Sequence, residues 1–284
     1  MSVITFSNHD KREVGQTLSV AAIATCMALE HNYKILVISA DFNDKTLENC
    51  FFRPSRVSRN ISSMFGRGNA STDVANGVEG LIRLFASNRV EADMLGSYTR
   101  PVFRDRLDVL SALKTKDPKE YANLSVYFSQ IAEVASKVYD LVLVDADKLM
   151  PLENAKKLYG VSSVVVMGLA QNQESINDFK ELKLEDEFYK RNSVIINLGR
   201  YNRESKFSAK NIGRELGEST IPFTIPYNIR FSDACAENRI TDYFIKTQKT
   251  TFKDGEEYLF YQAVKDDVER LDNLRRNIEF GVQK

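Results

Sequence analysis

The sequence predicts an α/β fold, a doubly wound and mostly parallel sheet flanked by helices, and three observations carry that prediction. Short apolar runs recur along the chain, several are continuous Val/Ile/Leu stretches without polar alternation, and most are followed by a segment of helical periodicity. A strand covered on both faces has no solvent side to mark with polar residues, so it reads as an unbroken apolar run. Strands and helices in alternation are the pattern of parallel strands joined by crossover helices.

The elements follow in order. Strands are expected at 3–6, 35–39, 107–110, 141–145, 161–168, 194–198 and 221–225, with amphipathic helices at 17–30, 74–87, 118–138, 176–187 and 204–216. A final helix is expected over 256–282, where Phe260, Val264, Val268, Leu271, Leu274 and Ile278 recur every three or four residues. Its polar face mixes Lys265, Arg270, Arg275 and Arg276 with Asp266, Asp267, Glu269, Asp272 and Glu279, so it is expected on the core or on a partner rather than on a membrane. No Pro/Gly/Ser-rich linker divides the chain, and one domain over 1–284 is expected, with a loop and helical insertion at about 51–105. Its first part, 51–71, carries Arg53, Arg56, Arg59, Arg67, Gly66 and Gly68 and reads as a surface loop.

Composition narrows the function classes. Lys+Arg and Asp+Glu both number 39, so the net charge is zero, and DNA binding, which usually rests on a basic surplus, gains no support. Three cysteines (Cys26, Cys50, Cys235) lie outside any CxxC spacing, and with two histidines, His9 and His31, a structural zinc site is not expected. Reduced thiols, the lack of a signal-peptide pattern at the N-terminus and the lack of a long apolar segment predict a soluble, cytoplasmic protein.

The chemistry concentrates where strand 3–6 runs through SNHDKREVGQT (7–17) into a helix. Strand, tight loop and helix N-terminus make an anion site, because unpaired backbone amides and the helix dipole converge there. Laid over Asp10–Thr17, the Walker A pattern G-x-x-x-x-G-K-S/T matches only at Gly15 and Thr17; Asp10 stands for the first glycine and Gln16 for the lysine.

The loop resembles the deviant form K-G-G-V-G-K-S/T of ParA/MinD-type P-loop ATPases, with Lys11 as the signature lysine and Val14, Gly15 and Thr17 kept, while Arg12, Glu13 and Gln16 replace two glycines and the second lysine. KILVISADFN (34–43) resembles the family's second motif, its acidic position at Asp41. YDLVLVDA (139–146) resembles the Walker B strand, ending at Asp145. IINL (195–198) places Asn197 at the adenine-reading asparagine, and IPYN (225–228) followed by FSDACAEN resembles the family's closing motif. LDVLS at 107–111, with the missing glycines, looks closest to the TadZ/CpaE branch, which localises pilus and secretion machinery at the cell pole; the receiver-like N-terminal domain common in that branch has no counterpart here.

That resemblance implies a nucleotide site of Lys11, Arg12, Glu13, Val14, Gly15, Gln16, Thr17, Leu18, Asn197, Pro226 and Tyr227, catalytic roles for Asp41 and Lys11, and Mg2+ at Thr17 and Asp145, with ATP as ligand. It also implies a homodimer and protein partners in a polar, conjugative or pilus machinery. Physical chemistry predicts a weakened site. The lost lysine contact is worth roughly 1.5–3 kcal/mol. Glu13 at about 5 Å from a phosphate costs on the order of 3 kcal/mol at an effective dielectric near 20. Lys11 and Arg12 offset this if they point inward. The leading expectation is a positioning or scaffold factor with weak ATP binding and little or no hydrolysis. An active partition-type ATPase that binds DNA non-specifically and a nucleotide-free interaction module are the alternatives.

Overall fold

A computed structural model describes residues 2–10, 12–53, 77–87, 89–218 and 221–279. One eight-stranded sheet runs in the order β3-β4-β2-β5-β1-β6-β7-β8. Its strands are β1 (Ser2–Ser7), β2 (Ile35–Ala40), β3 (Arg100–Phe103), β4 (Leu107–Leu110), β5 (Leu141–Ala146), β6 (Val164–Gly168), β7 (Val194–Tyr201) and β8 (Phe223–Pro226). Every pairing is parallel except that of the edge strand β3 with β4. β1 lies between β5 and β6, so connections turn both ways from it, and the loop leaving β1 opens at the carboxyl edge where open α/β sheets bind ligands.

Side-chain alternation along each strand builds two apolar layers. Val3, Leu36, Ile38, Val142 and Val144 face one, which α3 (Val78–Ala86), α4 (Pro118–Leu124), α5 (Tyr127–Ala135), α6 (Leu152–Val161), α7 (Gln173–Glu185) and α8 (Ala209–Leu216) cover. Ile4, Phe6, Ile35, Val37, Leu141 and Leu143 face the other, beneath α1 (Gln16–Glu30), α2 (Thr46–Phe51), α9 (Ile229–Ala236), α10 (Ile240–Gln248) and α11 (Glu256–Glu279). Helix α1 is buried almost all round, and Ala21, Ala22, Ala24 and Ala28 let its neighbours approach closely.

Several local expectations change. The helix expected over 118–138 is two helices, because Asn154 Nδ2 donates to the carbonyl of Ala122 (3.0 Å) and to Ser125 Oγ (2.8 Å), satisfying the break from outside. The helix expected from 204 begins at Ala209, after Ser208, whose side chain accepts from the Asn211 amide. The strand expected from 161 begins at Val164, since Val161 closes α6. Strand β3 was not foreseen; it holds Pro101 and half-exposed residues, which only an edge position tolerates. Helices α2, α6, α9 and α10 were also not foreseen. Of the arginines expected on the surface loop, Arg56, Arg59 and Arg67 lie outside the described residues.

Helix α11 packs on the core through Phe260, Val264, Val268 and Leu271. Two polar ties fix its register: Asp267 accepts from the Thr224 amide of β8 at 2.6 Å, and Arg275, held by Asp272 of the same helix at 2.6 Å, reaches Ser2 Oγ of β1 at 3.3 Å. All three cysteines are buried free thiols. Among the described residues, no group of three or more His, Cys, Asp and Glu is arranged to hold a metal by itself, and no helix is long and apolar enough to cross a membrane.

Candidate functional site

Two cavities open side by side at the carboxyl edge. The first, of about 590 Å³, is walled by residues of the β1–α1 loop, by Asp41, Asp44 and Thr46 after β2, and by Ala146, Asp147 and Lys148 after β5. The second, also about 590 Å³, lies between the end of β7, the β8–α9 junction and α11, with Pro226, Tyr227, Ile229, Leu259 and Phe260 on its walls. Arg200 and Tyr227 line both cavities, with the Arg200 guanidinium 5.7 Å from the Tyr227 ring centroid. The arrangement joins a loop-walled chamber to one that α11 walls with Leu259 and Phe260.

The loop keeps its turn without the family's central glycines. The buried Asp10 carboxylate accepts from the Arg12 amide at 3.0 Å and from Arg12 Nε at 2.5 Å, and Ser175 of α7 donates to its other oxygen. This side chain does for the loop what backbone freedom does in a glycine-rich one. Burial raises the Asp10 carboxyl, and the bonds from Ser175 and Arg12 more than reverse it, so it sits below the usual carboxylate range. Arg12 extends on to Glu174 and, at 2.8 Å, to Asp178. The expectation that Arg12 offsets Glu13 by pointing inward is therefore corrected: its charge is shared among three carboxylates. Glu13 lies on the wall of the first cavity with its side chain 88% exposed, and pairs with Arg200 at 3.1 Å. His9 is bonded to the Tyr189 hydroxyl at 2.8 Å. Lys11 lies outside the described residues.

Gly15 has φ 69 and caps α1, a left-handed conformation that an L side chain disfavours, and a Cβ there would also meet Arg200 Cγ at 2.8 Å. Gly199, which the sequence reading missed, is the counterpart on β7: a Cβ there would fall 2.2 Å from the Val14 carbonyl oxygen. Val14 itself is buried. The loop thus lies directly on the end of β7.

Gln16 occupies the lysine position of the motif, and its side chain turns down instead of into the cavity. Nε2 donates to Asp145 Oδ1 at 2.6 Å and to the Ala146 carbonyl at 2.9 Å, with a longer contact to the Phe6 carbonyl at 3.3 Å. Oε1 accepts from Asn8 Nδ2 at 2.7 Å. Both amide hydrogens and the carbonyl are engaged, and Gln16 is 8% exposed. Asn8, absent from the sequence-based set, fixes the amide's orientation.

Thr17 and Leu18 line the first cavity with Asp41. Asp145 is fully buried, its Oδ2 accepts no hydrogen bond, and burial pushes its carboxyl up to about 6 against the pull of Gln16 and the nearby Thr17 hydroxyl. Asp41 is pushed well above the ordinary range by burial and then by Asp145, Asp147 and Asp44, while Ser39 Oγ donates to it at 3.2 Å. Asp147 binds the amides of Phe42 (2.7 Å) and Leu149 (2.6 Å), holding the two acidic loops together. A hard divalent cation fits this donor chemistry: Thr17 offers a hydroxyl, Asp145 an unpartnered buried carboxylate oxygen, and Mg2+ commonly takes one or two protein carboxylates with waters and phosphates.

Asn197 departs from its expected place. It is buried under the loop, donates to Ser19 Oγ at 3.1 Å, and belongs to neither cavity wall. The residues presented to the second cavity from β7 are instead Arg200 and Tyr201, followed by Asn202 and Arg203; from the closing motif Pro226 and Tyr227 are there as expected.

The chain is similar in structure to a ParA family ATPase from Chlorobium tepidum TLS, with a TM-score of 0.64 at 14% identity, covering 94% of this chain and 98% of that one. This is the ParA/MinD fold. The septum site-determining protein MinD of Pyrococcus horikoshii, a complex with Mg-ADP, gives 0.63 at 11% identity over 96% and 98% of the two chains. The MinC:MinD cell division complex of Aquifex aeolicus gives 0.61 at 19% identity over 96% of each. The sequence itself matches no protein-family model, and comparison with curated proteins finds no match. The ParA/MinD fold is thus kept here at an identity where pairwise sequence comparison carries little.

Proposed function

We propose that this chain is a positioning or scaffold factor that holds Mg-ATP weakly in the paired cavities, hydrolyses it little or not at all, and works through homodimerisation and protein partners. The observation that carries this reading is Gln16: the residue at the lysine position is neutral, and its amide is spent on Asp145, Ala146 and Asn8. A triphosphate in the first cavity would face Glu13, Asp41, Asp44 and Asp147 across from Lys148 and Arg200. Arg12 is on the wall too, but three carboxylates already share it.

Mg2+ would supply the charge neutralisation that the loop lacks, with Thr17 and Asp145 as the residues to hold it. Gly15 and the first turn of α1 would present backbone amides to phosphate, which depends on helix geometry rather than on the lost side chain. Tyr227 and Pro226 would lie against the base. Asp41, held toward its protonated form by burial and by its acidic neighbours, is poorly poised to orient an attacking water as a carboxylate at neutral pH.

The TadZ/CpaE-like features of the sequence favour a pilus or secretion machinery as the setting. Titration of Mg-ATP by calorimetry alongside a turnover assay tests the reading. Measurable binding with turnover far below that of ordinary ATPases of this fold supports it; turnover at their rate, or no binding at all, overturns it.

A further inference from the structure

Arg200 stands where the two cavities meet. It lies near the end of β7, lines both chambers as Tyr227 does, and holds its guanidinium 5.7 Å from the Tyr227 ring centroid. We infer that Arg200 anchors a bound nucleotide at its ribose and α-phosphate end, in place of a loop lysine that would hold the β- and γ-phosphates, so that the site takes Mg-ADP and Mg-ATP almost alike. The inference rests on the nucleotide reading proposed above.

The backbone around Arg200 brings it to that place. Arg200 has φ 56, a left-handed conformation that an L side chain disfavours and that clusters at ligand sites, where a side chain must be aimed. Gly15 and Gly199 permit the close approach beneath it. A Cβ on Gly199 would fall 2.2 Å from the Val14 carbonyl oxygen, and one on Gly15 would meet Arg200 Cγ at 2.8 Å and Cδ at 3.3 Å. The arginine stem therefore lies across the residue that caps α1, whose first amides would face phosphate. Among the described residues its ion-pair partner is Glu13 at 3.1 Å, with the two side chains 50% and 88% exposed. Water and salt screen so exposed a pair, and a phosphate, which arginine takes through charge-assisted and bidentate bonds, competes with it well.

Strand order fixes which end of the nucleotide Arg200 meets. The first chamber runs along the carboxyl edge from the segments after β2 and β5 to the end of β7, across the β1 loop. With the base against Tyr227 and Pro226 in the second cavity, the phosphate chain enters the first past Arg200 and ends toward Asp41, Asp44, Asp147 and Lys148. The groups at the junction are then the ribose and the α-phosphate. In the loop, Gln16 is neutral and its amide is held by Asp145, Ala146 and Asn8, so a γ-phosphate gains nothing from the lysine position.

Calorimetric titration of Mg-ADP and of Mg-ATP into the full chain tests this. Wild type is expected to bind the two with dissociation constants within about threefold of each other. Arg200→Gln keeps a stem over Gly15 and removes the charge; it is expected to weaken both ligands about tenfold or more, with the melting temperature unchanged. Arg200→Lys, which restores the charge without the bidentate fork, is expected to recover part of that loss for both. Affinities in Arg200→Gln within about twofold of wild type, or a wild-type preference for Mg-ATP beyond about threefold, overturn the inference and leave the weak-binding reading standing. If neither nucleotide binds wild type, that reading falls and this one falls with it.

Discussion

Replacing Gln16 by lysine tests the central contact of the site. The perturbation restores a positive charge at the loop position where the family pattern has one, and it removes an amide that is bonded to Asp145 at 2.6 Å, Ala146 at 2.9 Å and Asn8 at 2.7 Å. Two terms oppose each other. A charge-assisted bond from the new ammonium to a phosphate contributes roughly 1.5–3 kcal/mol. Drawing the side chain up from Asp145 forfeits a net buried hydrogen bond, about 1 kcal/mol. The difference is about 0.5–2 kcal/mol, or roughly a 2- to 30-fold tighter Kd at 1.4 kcal/mol per tenfold. The assay is Mg-ATP calorimetry on wild type and Gln16→Lys, with Mg-ADP as comparison because the gain should be larger where a γ-phosphate is present. An affinity unchanged within twofold, in a variant whose melting transition matches wild type, would refute the reasoning that the missing charge is what weakens the site.

Other perturbations follow from the same geometry. Glu13→Gln frees Arg200 from its 3.1 Å partner; an exposed pair contributes about 0–1 kcal/mol, so stability should hardly move, while Mg-ATP affinity rises a few-fold at low salt and the gain fades at high salt. Gly199→Ala places a Cβ 2.2 Å from the Val14 carbonyl, and overpacking of this kind costs about 1–3 kcal/mol, to be seen in denaturant melts; wild-type stability in the variant would disprove the close approach of loop and strand. Asp267 is pushed up to about 6 by burial, against the pull of the Thr224 amide and Arg270. The folded state therefore holds this proton more tightly than the unfolded chain, so the stabilisation is present below about pH 4 and is lost as pH rises toward 6, by about 3 kcal/mol at 1.36 kcal/mol per pH unit. Denaturant titrations across that window should show a shallower fall in Asp267→Asn, and an identical pH slope in the two proteins would contradict it.

Much of the architecture was legible in the chain because its signals are local. Continuous apolar runs marked five of the seven parallel strands to within two residues at either end, since strands covered on both faces carry no other constraint. β7 runs three residues past its expected end, and β6 shows the limit of that signal: Val161 is apolar because it closes α6, not because it starts a strand. Edge strand β3, with Pro101 in its middle and no Val/Ile run, had no local signature at all. Helix α11 was legible because its apolar residues keep helical spacing over 24 residues.

By itself the sequence determined the parallel strands and the position of the loop between β1 and α1, while the resemblance of its motifs to a family pattern suggested the grouping of Gly15, Thr17, Asp41 and Asp145. Tertiary structure alone decided what the loop's side chains do. Arg12 turns to Asp178, 166 residues away; Gln16 turns to Asp145 at a separation of 129; Glu13 turns to Arg200 at a separation of 187. Those choices depend on which strand lies beside which, and periodicity, a property of neighbours in sequence, holds no record of that. The missing lysine was visible at once in the chain, and only the fold could show that its replacement is bound to Asp145, near the end of β5.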